Sequence, residues 1–124
     1  MSIALYFAAF FAAAVGVAHS YLGERYILIR LFRRPDLPKL FGGTEFTTRT
    51  LRFAWHITSI AWWGFSALLV ALAQPPVTAS EVSLIVGATF LATSVATLIG
   101  SRGKHLAWPV FLVIGVIALY AGCS

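Results

Sequence analysis

The sequence predicts an all-α membrane protein with four transmembrane helices packed as an antiparallel bundle. Of its 124 residues, 60% are hydrophobic and only 10% are charged, whereas soluble domains carry about 25% charged residues. Four apolar runs without any Asp, Glu, Lys or Arg follow one another along the chain, at residues 3–22, 53–73, 82–100 and 106–122. Each has about the 17–25 residues that a helix needs to cross a hydrocarbon core of about 30 Å.

Together with their flanking residues, these runs predict helices at about 3–34, 47–73, 81–100 and 104–122, in a single domain that covers 1–124. The first helix is expected to continue past the cytoplasmic membrane surface until Pro35 and Pro38 stop it. Ser80 is expected to cap the third helix, with Glu81 at its positive end. The last two connections are short, so the last three helices should be antiparallel neighbours.

The third helix is expected to be the most enclosed of the four. Small residues recur along it at four-residue spacing, which allows close helix contact in lipid. A row of hydroxyl residues runs beside them: Thr89, Thr93, Thr97 and Ser101. These hydroxyls can bond to carbonyls of their own helix, so they do not by themselves indicate a polar path.

Basic residues occur on only one side of the predicted membrane. The first connection holds Arg25, Arg30, Arg33, Arg34, Lys39, Arg49 and Arg52, and the third holds Arg102 and Lys104. Because positive residues stay in the cytoplasm, both termini should lie outside it. This bias accounts for the net charge of +5 without a nucleic-acid partner. The bacterial inner membrane is the expected location.

The histidines are the candidate site residues. His19 lies near the cytoplasmic end of the first run, His56 near the same end of the second, and His105 at that end of the fourth. A helix rises about 1.5 Å per residue, so all three should lie within about 5 Å of one plane. Three imidazoles from three helices can ligate copper or zinc. The sequence therefore predicts a three-histidine transition-metal site.

Four other residues are expected to support that site: Glu24, Arg52, Ser59 and Trp63. The last three form one stripe with His56 on the second helix, and this stripe should face protein. Glu24 is the acid nearest the histidines, but a helix turns about 140° between His19 and Glu24, so the two do not share a face. Glu24 is expected to pair with Arg52 or Arg25, or to orient a histidine.

Two alternatives to the metal site stay open at this point. The histidines can form a metal-free polar network in a structural or accessory membrane subunit, or two of them can hold a haem. In length and helix count the chain resembles the small multidrug-resistance exporters, which use a glutamate in their first helix. The first apolar run here has no acid, so export is not supported. The partners of the protein are expected to be the lipid bilayer and further copies of the same chain, in a homo-oligomer. The sequence specifies neither a substrate nor a catalytic activity.

Overall fold

The computed structural model describes residues 2–124, and these residues form helices joined by turns, with no strand among them. We number the helices α1 (Ser2–Leu31), α2 (Glu45–Leu72), α3 (Ala79–Ser101) and α4 (Ala107–Cys123). The first three have 30, 28 and 23 residues and are long and apolar enough to cross a membrane. Helix α4 is apolar as well but has 17 residues. The bounds lie within three residues of those expected from the sequence.

Local hydrogen bonds explain where the helices begin and end. Helix α1 stops before Pro35, because the N–H groups of Arg33 and Arg34 bond carbonyls only three residues back, which tightens the last turn. At the start of α3 the cap is Thr78, which exchanges reciprocal hydrogen bonds with Glu81. The expectation that Ser80 caps this helix was wrong, since its hydroxyl donates to the carbonyl of Gly122 on α4.

The helices pack in chain order as an open row. Helix α1 packs on α2, α2 on α3, and α3 on α4; within residues 2–124, α1 contacts neither α3 nor α4. Gly87 lies against Leu119, and Gly122 lies against Leu84, so residue numbers fall on one helix as they rise on the other. Neighbouring helices are therefore antiparallel, as expected, but the row does not close into a bundle.

Helix α3 lies inside this row and has a neighbour on each side. Thr93, Ser94, Thr97 and Ser101 are all buried. The hydroxyls of Thr89 and Thr93 bond to carbonyls four residues back, as the sequence suggested. Ser94 instead donates to the carbonyl of Trp108 on α4. The enclosed position of α3 is thus confirmed, and its hydroxyls serve both its own backbone and its neighbour.

Candidate functional site

The candidate site lies where α1 and α2 approach each other most closely. A side chain at Gly16 would place its Cβ 2.5 Å from Nε1 of Trp63, and one at Gly23 would overlap the ring of Trp55. Both glycines therefore leave room for an indole from α2. The indoles also donate hydrogen bonds to α1, from Trp55 to the carbonyl of His19 at 2.8 Å and from Trp63 to that of Ala13 at 3.2 Å.

Helix α1 changes its winding at this point. Residues Gly23–Leu28 form a π-helix, which has a wider turn than the α-helix before it. Such segments are rare and occur often at functional sites. Glu24 lies at the start of the segment, and its carboxylate reaches α2. The helix thus carries an acid to the contact between α1 and α2.

A polar network joins the two helices, and His56 is at its centre. Nε2 of His56 lies 3.0 Å from Oε2 of Glu24, and Nδ1 lies 3.0 Å from Oγ of Ser20. Ser20 Oγ lies 2.6 Å from Oγ of Ser59, which is fully buried. The second carboxylate oxygen of Glu24 forms an ion pair with Arg52 at 2.8 Å. The network therefore runs from a half-exposed acid and base to a buried hydroxyl.

The ion pair of Glu24 with Arg52 confirms the pairing expected from the sequence. The guanidinium of Arg52 also lies over the ring of Phe32, 4.9 Å from its centroid. Because Arg52 has both a carboxylate and an aromatic partner, its position beside Glu24 is well defined. One member of the network, Ser20, is not among the site residues predicted from the sequence. Its spacing of four residues from Glu24, on one helix face, was the available signal.

His19 lies beside this network but has a different role. Its ring stacks on Trp55, with centroids 4.5 Å apart and planes 2° from parallel, and meets the edge of Trp62 at 4.9 Å. Its Nε2 donates to the carbonyl of Trp55 at 3.2 Å. Together with the bond from Trp55 back to His19, this makes a reciprocal clamp between α1 and α2. His19 therefore serves mainly to fix the two helices together.

His105 occupies a third environment, before α4. Its Nδ1 accepts the backbone N–H of Ala107 at 3.1 Å, so it satisfies one of the free donors at the start of that helix. The ring stacks on Phe46 at 5.7 Å and meets Phe53 edge-on at 5.0 Å. The role of His105 here is that of a helix cap packed against aromatic rings.

The structure therefore brings Glu24, Arg52, His56 and Ser59 together but does not gather the three histidines. Within residues 2–124 there is no group of three or more His, Cys, Asp or Glu side chains that could hold a metal ion. His19 and the helix that follows His105 lie at opposite ends of the row, on α1 and α4. Each histidine has partners of its own in this arrangement, and the three-histidine site stays a prediction.

A groove of about 540 Å³ opens beside the network on the α1 side. Ser20 and Glu24 lie on its wall, and Trp63 and Tyr21 form part of its apolar lining. Trp63 thus packs on Gly16 and also lines the groove. The groove gives a small ligand or water access to the hydroxyl of Ser20 and the carboxylate of Glu24.

Comparison with family models, curated proteins and solved structures finds no match for the chain.

Proposed function

We propose that the chain is an integral membrane protein whose four helices cross the bilayer. The exposed apolar side chains support this, since Phe7, Phe10 and Ile117 are each more than 60% exposed in the isolated chain. Such a surface is costly in water and suits lipid. At about 1.5 Å per residue, α4 reaches about 26 Å, near the lower limit for a span.

The orientation in this proposal follows from the basic residues in the first and third connections. It places both termini outside the cytoplasm, with the network of His56 at the cytoplasmic end of α1 and α2. A reporter enzyme that is active only outside the cytoplasm, fused after Ser124, should be active. An inactive, stably expressed fusion would reverse the orientation.

We further infer that the protein responds to protons through His56, as a structural or accessory membrane protein with a metal-free polar network. The observation that carries this inference is that both ring nitrogens of His56 have polar partners, Glu24 on one side and Ser20 on the other. Histidine is the side chain that exchanges a proton most readily near neutral pH. Ionisable groups within membrane helices are generally functional.

Protonation of His56 would reverse the direction of the hydroxyl bonds. In neutral His56, Nε2–H donates to Glu24, so Nδ1 must accept from the hydroxyl of Ser20. Ser20 then accepts from Ser59. In protonated His56, Nδ1–H donates to Ser20, whose hydroxyl then donates to Ser59. A proton taken up at the half-exposed end of the network is thus reported at Ser59, which is fully buried.

The charges around His56 permit both states. Glu24 contributes one negative charge and Arg52 one positive charge, so the group is neutral overall while His56 is neutral. A proton on His56 adds one positive charge, which the carboxylate of Glu24 contacts directly. In the isolated chain, 32% of the Glu24 side chain and 45% of the Arg52 side chain are accessible, so this end of the network lies at the surface of the protein.

The test follows Ser59 by NMR in detergent-solubilised protein as the pH is lowered from about 8 to about 5. We expect the Ser59 signals to change together with the ring nitrogen signals of His56, because the two are linked through Ser20. Ser20→Ala should abolish the response of Ser59 while His56 still takes up its proton. Ser94→Ala is the matched control, since Ser94 is a buried serine that donates to α4, and it should leave the response intact.

Two results would contradict the proton proposal. One is a Ser59 signal that does not change with pH in the wild type. The other is a response that persists in Ser20→Ala. Binding of copper or zinc is the competing proposal, with haem held by two histidines as its variant. Metal and haem content measured on the same samples, after chelation and reloading, tests both. Uptake of one equivalent of metal that His105→Ala abolishes would favour the three-histidine site instead.

A further inference from the structure

A second cavity lies away from the network of His56, between the first connection and the end of α3. It has a volume of about 550 Å³, and its wall includes Leu40, Phe41, Phe46, Arg49, Ser101 and Lys104. We call it the basic pocket. Neither the histidines nor Glu24 line it. Its chemistry is therefore independent of the proposed proton response.

The strongest indication of a ligand is the hydroxyl of Ser101. Ser101 is 2% exposed, and its Oγ has no hydrogen-bond partner among residues 2–124. A buried hydroxyl without a partner is energetically unfavourable. Thr97, on the same helix, also has a buried hydroxyl without a partner, but only Ser101 lines the basic pocket. The hydroxyl of Ser101 is thus available to donate to a group bound in the basic pocket.

Two basic side chains and one acid determine the charge of the basic pocket. Arg49 has 21% of its side chain exposed and lies 3.6 Å from Glu45, which is 78% exposed. Lys104 also lines the pocket, shortly after the end of α3 at Ser101. The lining has one more positive than negative charge. Glu45 and the negative end of α3 oppose an anion, so a singly charged group fits better than a multiply charged one.

The apolar part of the basic pocket indicates what else the ligand carries. Phe41 is 90% exposed although it is aromatic, and Leu40 is 47% exposed. Phe41 also has a positive φ of 56°, which is unusual for a bulky residue. It meets Phe46 edge-on at 5.0 Å, at the mouth of the pocket. An exposed aromatic beside a basic site suits a ligand with both an anionic group and an apolar chain.

We propose that the basic pocket binds a phosphate diester, presented by an anionic phospholipid with a single net charge such as phosphatidylglycerol. Lys104 and Arg49 contact the phosphate, the hydroxyl of Ser101 donates to one of its oxygens, and Leu40 and Phe41 lie along the acyl chain. The proposal depends on membrane insertion but not on the proton response of His56. Basic residues near the cytoplasmic surface commonly recognise anionic headgroups in this way.

Native mass spectrometry of the delipidated protein, titrated with phosphatidylglycerol or phosphatidylcholine, tests this proposal. We expect one phosphatidylglycerol to bind at least about tenfold more tightly than phosphatidylcholine. Lys104→Gln should weaken phosphatidylglycerol binding about tenfold and Ser101→Ala about fivefold, from the loss of a charged and a neutral hydrogen bond. Arg33→Gln is the control, since Arg33 is exposed but does not line the basic pocket, and it should stay within about twofold.

Equal affinity for the two lipids would overturn the proposal, as would equal effects of Lys104→Gln and Arg33→Gln. Circular dichroism and thermal melts of each variant check that the fold is intact. Soluble glycerophosphoglycerol, which carries the same singly charged phosphate diester without acyl chains, provides the second arm. We expect it not to displace the lipid at about tenfold excess; displacement would show that the phosphate comes from a soluble compound and would overturn the lipid assignment. The reporter fused after Ser124 tests the membrane orientation separately.

Discussion

The contact between α1 and α2 and the contact between α3 and α4 use the same packing device but differ in chemistry. In both, glycines let the neighbouring helix approach closely, as at Gly23 beside Trp55 and Gly115 beside Leu91. Between α3 and α4, the hydroxyl of Ser94 bonds only to backbone. Between α1 and α2, side chains bond to one another, and one of them is His56. Close packing is therefore common to both contacts, and what distinguishes the contact of α1 with α2 is the set of hydrogen bonds between its side chains.

The largest effect is expected from filling the space at Gly23. Gly23→Ala puts a methyl group into the ring of Trp55, and such overpacking costs about 1–3 kcal/mol of unfolding free energy. The change should also displace Glu24, so the response of Ser59 to pH should be lost. Gly115→Ala should destabilise the protein to a similar degree through Leu91 but keep that response. Thermal unfolding in detergent and the NMR titration measure both.

Gly43→Ala is the control for these two changes. Nothing lies within 4 Å of a Cβ at Gly43, so its unfolding free energy should stay within about 0.5 kcal/mol of wild type. If Gly23→Ala behaved like Gly43→Ala, the close contact of α1 with Trp55 would be disproved.

A smaller effect is expected from removing a single buried hydroxyl from each contact. Ser59→Ala and Ser94→Ala should each lower the unfolding free energy by about 0.5–1.5 kcal/mol, because each removes one hydrogen bond between helices. Only Ser59→Ala should change the ring nitrogen signals of His56, since Ser59 reaches His56 through Ser20. Identical His56 spectra in the two variants would mean that the chain of hydroxyls does not form.

Variants at His105 can distinguish a capping role of this residue from a role as a metal ligand. His105→Ala should cost about 1 kcal/mol of stability, because the N–H of Ala107 loses its acceptor. His105→Asn, which keeps a side-chain acceptor, should recover part of that loss. Thermal unfolding measures the difference, and equal losses in the two variants would count against capping. Metal content of both variants shows whether His105 also contributes to copper or zinc binding.

The smallest effect is expected at the exposed pair of Arg34 and Asp36, after α1. The hydrogen bond from Arg34 holds the pKa of the Asp36 carboxyl below its ordinary value. A lowered pKa in the folded protein stabilises it above the ordinary pKa of aspartate, and this contribution disappears as the pH falls through the lowered pKa. Asp36→Asn should therefore lower the unfolding free energy slightly near neutrality, where this contribution is fully present. The difference from wild type should disappear as the pH falls through the lowered pKa, which unfolding curves recorded from neutral to strongly acidic pH measure.

The helices could be predicted from the sequence because the length of an apolar run can be counted directly and compared with the length that a membrane-spanning helix requires. The pairing of Glu24 with Arg52 was foreseen for a similar reason, since few charges lie near the ends of these runs. The plane of histidines was less informative. The position of a residue along a helix gives its depth along the helix axis. It does not give the rotation of the helix about that axis or the place of the helix in the row. His19, His56 and His105 can share a level and still face Trp55, Glu24 and Phe46 respectively.

The sequence by itself determined the all-helical class of the protein, the number and approximate bounds of its helices, and the confinement of its basic residues to the first and third connections. These properties depend on composition and order along the chain. Tertiary structure alone decided that the helices form an open row, that α1 winds as a π-helix at Glu24, and that Ser20 links His56 to Ser59. The physical reason is that hydrogen bonds act over about 3 Å. At that scale the rotation and lateral position of each helix determine which groups meet, and neither can be read from spacing along the chain.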